Sequence, residues 1–202
     1  MFPKTSQLFA GFALLALVVL SAGQGMAQKK HTMGAASKMT RAQKIAFAIS
    51  AGPAEISRHA TIMDMSDMSK PKQLRAGTNG WVCYYMVFWG SDAMCLDKEW
   101  QKWAEAWMNK TDLKIETTGI GYMLRGDNGG SNTDPYATGP TADNQWVKSP
   151  PHIMVLNADS KMLDAYPTDP KSGGPWVMWK GTPYAHVMVP VSPTKPPTMS
   201  FK

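Results

Sequence analysis

Residues 97–109, DKEWQKWAEAWMN, set the architecture of the chain. Asp97 is placed to cap a helix running from Lys98 to about Asn109, because its side chain can accept from a free first-turn amide. Trp100, Trp103, Ala104 and Trp107 then fall at i, i+3, i+4 and i+7, forming one apolar stripe. Three tryptophans on one face need a broad apolar surface to cover them, so the helix is expected to dock on a sheet. An aromatic platform for a sugar is the functional alternative for the same stripe.

Upstream of this helix, Trp81 to Phe88 reads as a strand. Leu74-Arg75-Ala76 and the turn signal Thr78-Asn79-Gly80 precede it, so a hairpin is expected there. Thr40 with Gln43 fits a capping box, and Ile45, Ala48 and Ile49 supply an apolar stripe that Gly52-Pro53 ends. Residues 55–64 (EISRHATIMD) are rich in β-branched and apolar types and read as a strand. Downstream, strands are expected over Leu113–Arg125, His152–Leu156, Trp176–Trp179 and Ala185–Val191, with loops at Gly126–Asn144 and Pro167–Pro175. Strands outnumber helices, so the expected fold class is α+β: a mostly antiparallel sheet or small barrel with one or two packed helices.

Apolar residues make up 44% and charged residues 18% of the 202. This balance excludes a disordered charged chain, a collagen-like repeat and a coiled coil. At the N-terminus Lys4 precedes an apolar run, Leu8 to Leu20, and small residues lead to Gly25-Met26-Ala27. The run is too short to span a bilayer core of about 30 Å as a helix. Gly25 and Ala27 match the small side chains that a signal peptidase needs. The expected organisation is a cleaved signal peptide (1–27), a basic flexible arm (28–39), one globular domain (40–192) and a Pro-rich tail (193–202). The expected location is periplasmic or secreted, with no integral membrane segment in the mature chain.

The formal charge of +6 gathers toward the ends: residues 28–44 carry Lys29, Lys30, Lys38, Arg41 and Lys44 with no acid, Lys195 and Lys202 lie in the tail, and residues 45–192 hold 13 Lys or Arg against 15 Asp or Glu. A nucleic-acid reader carries its basic footprint on the folded domain, so nucleic acid is not expected as a partner. The arm reads as a solvated leader, or as a weak attraction to an anionic envelope surface. Cys83 and Cys95 are expected to form a disulfide in an oxidising compartment, worth roughly 3 kcal/mol in the chain-entropy model. A redox or metal-binding thiol pair is the alternative, although the C-x-x-C spacing is absent.

Two segments share a pattern, His152-Ile-Met154-Val and His186-Val-Met188-Val. In a strand, i and i+2 share a face, so each segment sets an imidazole beside a thioether. Adjacent strands would gather four donors suited to copper. The chain has 16 methionines, three of them in Met63-Asp-Met65-Ser-Asp-Met68, with His59 four residues upstream. The candidate metal ligands are therefore His152, Met154, His186, Met188 and His59, with copper as the implied cofactor. Packing is the competing reading, since methionine fills irregular cores.

Asp127 to Asp134 offers oxygen donors for calcium but lacks the EF-hand spacing, which leaves an Asx-turn loop as its ordinary reading. No G-x-S-x-G, H-E-x-x-H or phosphate-binding glycine motif is present. A hydrolase would therefore assemble its site from His152 or His186 with Asp143, Asp164 or Asp169. A small-ligand pocket would draw on Trp179, Tyr184 and Arg125, with Trp176 and Tyr136 nearby.

GTNGWVCYYMVFWGSDAMCLD from Gly77, GIGYML from Gly119, SNTDP from Ser131 and DPKSGGPWVMWKGTPYAHVMVPV from Asp169 together resemble an uncharacterised family of exported bacterial proteins. The resemblance implies a bacterial envelope or secreted location and brings no activity, substrate or cofactor. The expected function is an exported domain binding a small ligand or a soft metal, with a hydrolase-like enzyme as the alternative.

Overall fold

The computed structural model describes residues 39–88 and 90–191. The expected signal peptide, the arm before Met39 and the Pro-rich tail lie outside them. The chain forms α1 (Arg41–Ile49), α2 (Ala54–Ser57), β1 (Thr61–Met65), β2 (Lys72–Arg75), β3 (Val82–Val87), β4 (Ser91–Leu96) and α3 (Lys98–Asn109). It continues through β5 (Gly119–Met123), β6 (Gly130–Ser131), β7 (Trp146–Val147), β8 (His152–Leu156), a 3₁₀ turn (Ser160–Ala165), β9 (Trp176–Met178) and β10 (His186–Pro190). One eight-stranded sheet has the order β2-β1-β3-β4-β5-β8-β10-β9, and β6 pairs with β7 separately. Every neighbour in the large sheet is antiparallel except β1 with β3. The fold is α+β, and the sheet stays open rather than closing into a barrel.

Both long helices start where their caps place them. The Thr40 hydroxyl accepts from the Gln43 amide while the Gln43 side chain accepts from the Thr40 amide, and Asp97 accepts from the Trp100 amide at 2.9 Å. The helices then cover opposite faces. Helix α1 packs over β1, β3 and β4, with Phe47 edge-on to Tyr85 at 5.7 Å. The Cys83–Cys95 disulfide lies beneath it, joining residues directly opposed on β3 and β4. Helix α3 covers the other face at β5, where Gly119 and Gly121 make room for Trp100. A Cβ at Gly119 would lie 3.2 Å from Trp100 Cδ1, and one at Gly121 3.3 Å from Trp100 Cδ2.

Three expectations need correction. Residues 55–64 are not one strand. Pro53 has no amide to lend a ladder, its carbonyl accepts from Ile56 and Ser57, and the chain makes the turn α2 before β1 begins. Leu113–Arg125 is strand only over Gly119–Met123. The carboxylate of Glu99 accepts from the Glu116 amide, and Lys102 bonds both Glu99 and Glu116, so the approach to β5 is held on α3.

The third correction is that β2 and β3 form no hairpin, because β1 lies between them. The Thr78-Asn79-Gly80 turn instead carries the chain across the start of β1. There the Thr78 amide donates to the His59 carbonyl and the Thr61 amide to the Trp81 carbonyl. Gly77 makes the crossing feasible, since a Cβ there would sit 2.1 Å from the Thr61 nitrogen and 2.3 Å from the Ala60 carbonyl carbon. Gly77→Ala should therefore cost about 2–4 kcal/mol by urea denaturation. Gly174→Ala, where a Cβ meets nothing within 4 Å, should be neutral or slightly stabilising. Equal midpoints for the two variants would contradict the crossing.

Candidate functional site

Strand pairing sorts the sheet residues by chemistry. Met188 lies directly opposite Met154, His152 opposite both Met123 and Pro190, and His186 opposite Met178. Residues opposed across a ladder share a face, as do i and i+2 along a strand. Followed through the registers, every methionine of the described strands falls on the face that α3 covers: Met63, Met65, Met86, Met94, Met123, Met154, Met178 and Met188. The opposite face of β5, β8, β9 and β10 carries Ile120, Ile153, Val155, Val177, Val187 and Val189. Stiff β-branched side chains therefore line one side and flexible thioethers the other.

The two H-x-M segments are neighbours, as the copper reading requires, but their antiparallel register centres on the methionines. Met154 and Met188 touch rungs, while His152 and His186 stand at opposite corners, four residues apart along the ladder or roughly 13 Å by strand rise. The four donors do not gather around one point. A single ion held by the methionine pair reaches the imidazole on one side or the other.

Both histidines are sealed from water, His152 at 0% and His186 at 2% exposure. His152 Nδ1 lies 2.7 Å from the Pro150 carbonyl and His186 Nδ1 lies 2.9 Å from the Tyr184 carbonyl. A carbonyl only accepts, so both Nδ1 atoms carry the proton, and in the neutral ring Nε2 keeps its lone pair. Burial pushes the His186 imidazole down to about 4, against the weaker pull of its bond to Tyr184. Burial also lowers His152, opposed by the Pro150 carbonyl and the charge of Asp127. Both rings are therefore neutral, the form that binds metals.

They differ in what surrounds the ring. His186 is boxed edge-on by Trp100, Trp103 and Trp179 at 5.1, 5.6 and 5.3 Å between centroids. His152 Nε2 has no hydrogen-bond partner, although it is fully buried. Trp100 Nε1 and Ser149 Oγ are likewise buried without partners.

The other candidates are dispersed. His59 is exposed in the turn before β1, four strand spacings from β8, or roughly 19 Å, and does not join the set. Met68 is also exposed, in the turn after β1, so the Met63-Met65-Met68 run does not converge. Asp143, Asp164 and Asp169 are all exposed while both histidines are buried, so no hydrolytic pair forms. Arg125 lies on the α1 side, stacked over Phe47 at 4.3 Å and bonded to Ser50. It is thereby separated from Trp179 and Tyr184.

Trp179 and Tyr184 do meet, around Trp103, but their polar atoms are committed to the backbone. Trp179 Nε1 donates to the Ser131 carbonyl, and the Tyr184 hydroxyl donates toward the Ala106 and Thr111 carbonyls. Trp179, Trp103, Trp107 and Tyr136 stack in near-parallel sequence, with interplanar angles of 7°, 5° and 11°. Lys110 lies over the Tyr136 ring at 4.8 Å, and the tryptophan stripe of α3 is docked among these rings. In the Asp127–Asp134 loop, Asp127 accepts from the Gly129 and Ser149 amides and Asp134 from the Tyr136 amide. That is Asx-turn bonding, the ordinary reading of the loop.

Met123 escaped the sequence reading: it faces His152 across β5–β8, and the small-residue alternation Gly119-Ile-Gly121-Tyr-Met123 was the signal that could have placed it. Trp100, read from its stripe as docking or as a sugar platform, packs over this layer. Among the described residues no group of three or more His, Cys, Asp or Glu could hold a metal ion. The donor set on the α3 face is thioether and imidazole. Family models, curated proteins and solved structures were compared with the chain, and none matches.

The neutral histidines fix a pH dependence. The unfolded chain takes up a proton on each histidine below about 6.5, which the folded protein resists until about 4 at His186. The unfolded state binds more protons in that window, so stability is fully present above 6.5 and falls as pH drops toward 4. The slope is about 1.4 kcal/mol per pH unit per histidine. Urea midpoints between pH 7.5 and 4.5 should show this decline, and His186→Phe should remove its share. A flat profile would mean that the rings are not held neutral.

Proposed function

We propose that the protein is an exported domain that binds a soft monovalent metal ion, copper(I), through Met154, Met188 and His152 Nε2, with Met123 alongside. The observation that carries this reading is the lone pair of His152. A buried acceptor without a partner costs on the order of 1–3 kcal/mol, and such groups are seldom left unsatisfied. Here the nitrogen is kept neutral, its tautomer is fixed by a carbonyl on the far side of the ring, and its neighbours on the face are thioethers. A histidine bound to metal through one nitrogen commonly donates from the other in this way.

The chemistry of the donors selects the ion. Thioethers favour copper(I), and the calcium, magnesium and zinc sites seen in proteins use carboxylates or more than one imidazole or thiolate. Burial beneath Trp100 would keep water and oxygen from the ion and so favour the reduced state. The charge of Asp127 acts on the His152 ring, which favours a cation there. A signal peptide over 1–27 and the disulfide fit export to an oxidising compartment, where copper is handled. The hydrolase reading finds no support in the positions of the acids.

Anaerobic titration with copper(I) against a chromophoric chelator should give stoichiometric binding to the purified protein. The paired substitution Met154→Leu with Met188→Leu keeps the volume of the layer and removes both sulfurs, so it should weaken binding at least tenfold. Wild-type protein that takes up no copper(I), or a paired variant that binds as tightly, would sink the reading.

A further inference from the structure

We infer that the same face holds a second soft-ion site, formed by Met65 on β1 and Met86 on β3, with Met63 and the Asp92 carboxylate beside them. The inference rests on the reading above, because it extends the same ligand chemistry to another part of the sheet. Met65 lies directly opposite Met86 in the parallel ladder, as Met154 lies opposite Met188 in the antiparallel one. Met63 precedes Met65 by two residues on the same face, and Asp92 faces Met86 from β4. Neighbouring Cβ atoms in such a row stand about 5 Å apart, close enough for two flexible thioethers to close on one ion.

Two features separate this row from ordinary filling. Met65 and Met86 are 8% and 6% exposed, yet they belong to neither of the two apolar cores formed among the described residues, under α1 and under α3. The row ends on a buried carboxylate. Asp92 is 4% exposed, and its Oδ1 accepts from the Asn128 amide and side chain, which fixes its orientation. A carboxylate beside two thioethers supplies the charge that balances a monovalent cation. The row is also distinct from the first site: β3 and β8 are three strand spacings apart, roughly 14 Å, so one ion cannot serve both.

Silver(I) is a redox-stable probe with the same preference for thioethers. Titrated into the full chain and followed by native mass spectrometry, it should load two ions. Met65→Leu with Met86→Leu should leave one, and Met154→Leu with Met188→Leu should leave the other. In a protein labelled with carbon-13 at the methionine methyls, the Met65 and Met86 signals should shift during the titration. This readout needs no substitution and so does not depend on how the variants fold. One ion in the wild type, lost with Met154 and Met188 and leaving the Met65 and Met86 methyls unmoved, would overturn the second site and leave the first standing. Two ions still bound by the Met65/Met86 variant would overturn it as well. No silver bound at all would remove both sites.

Discussion

The seating of Trp100 against the two glycines of β5 governs much of this molecule. Gly119 and Gly121 leave the first part of β5 bare on this face, and the indole packs 3.2 and 3.3 Å from where their Cβ atoms would stand, with Glu99 and Met154 closer still at 2.9 Å. The helix can therefore lie close to the sheet, so Trp103 reaches Tyr184 and Trp179 and the β8–β10 ladder is roofed rather than wet. The floor beneath the helix is uneven, bare at the two glycines and filled by the side chains of Leu96, Met154 and Leu156 around them. Methionine suits such a space, because an unbranched side chain can lie along an uneven wall where isoleucine or valine cannot. Close helix docking, thioethers beneath it and neutral histidines among them are thus linked by one geometric choice.

The opposite face follows another rule. There Ala48 of α1 and Ala51 just after it pack with the disulfide and with Ile62, Tyr85, Val87 and Ala93 of the strands. Gly52 passes over this region with room for a Cβ only 3.0 Å from the Cys95 sulfur. The covalent bond and the small alanines bring the layers of this half close together, with Tyr85 and Phe47 meeting edge-on between them. The two halves of the sheet are therefore stabilised differently, one by a cross-link and snug packing, the other by broad indole surfaces over adaptable sulfur.

How much of this was legible depended on how local the signal was. The ends of α1 and α3 were readable because caps act within three residues, and Thr40, Gln43 and Asp97 bond as their spacing suggested. β8 and β10 were readable from alternation. The position of β1 between β2 and β3 was not, because a turn signal at Asn79-Gly80 says that the chain reverses, not which strand it will lie beside. The held-back segment before β5 was hidden for a similar reason: its partner is the carboxylate of Glu99, seventeen residues away.

The site shows the same division. The sequence put an imidazole and a thioether on each of two strands, but pairing direction decides whether like meets like. Antiparallel pairing about the methionines set the histidines apart, and no local feature of H-x-M encodes that choice. Exposure was equally out of reach, and it separated His152 and His186 from the acids proposed to join them.

The crossing at Gly77 also bears on the order in which the chain can assemble. The segment from Ala76 to Trp81 can make its bonds to His59 and Thr61 only with the start of β1 in place, and it delivers β3 to the side of β1 away from β2. All of β1 to β4 lies within one short stretch of chain, so these contacts need little loop closure. The ladder of β5 with β8 instead spans the long excursion through β6 and β7, and its closure entropy is correspondingly larger. Loop-closure entropy thus favours early pairing in the first half of the sheet over the ladder that carries the methionine–histidine layer.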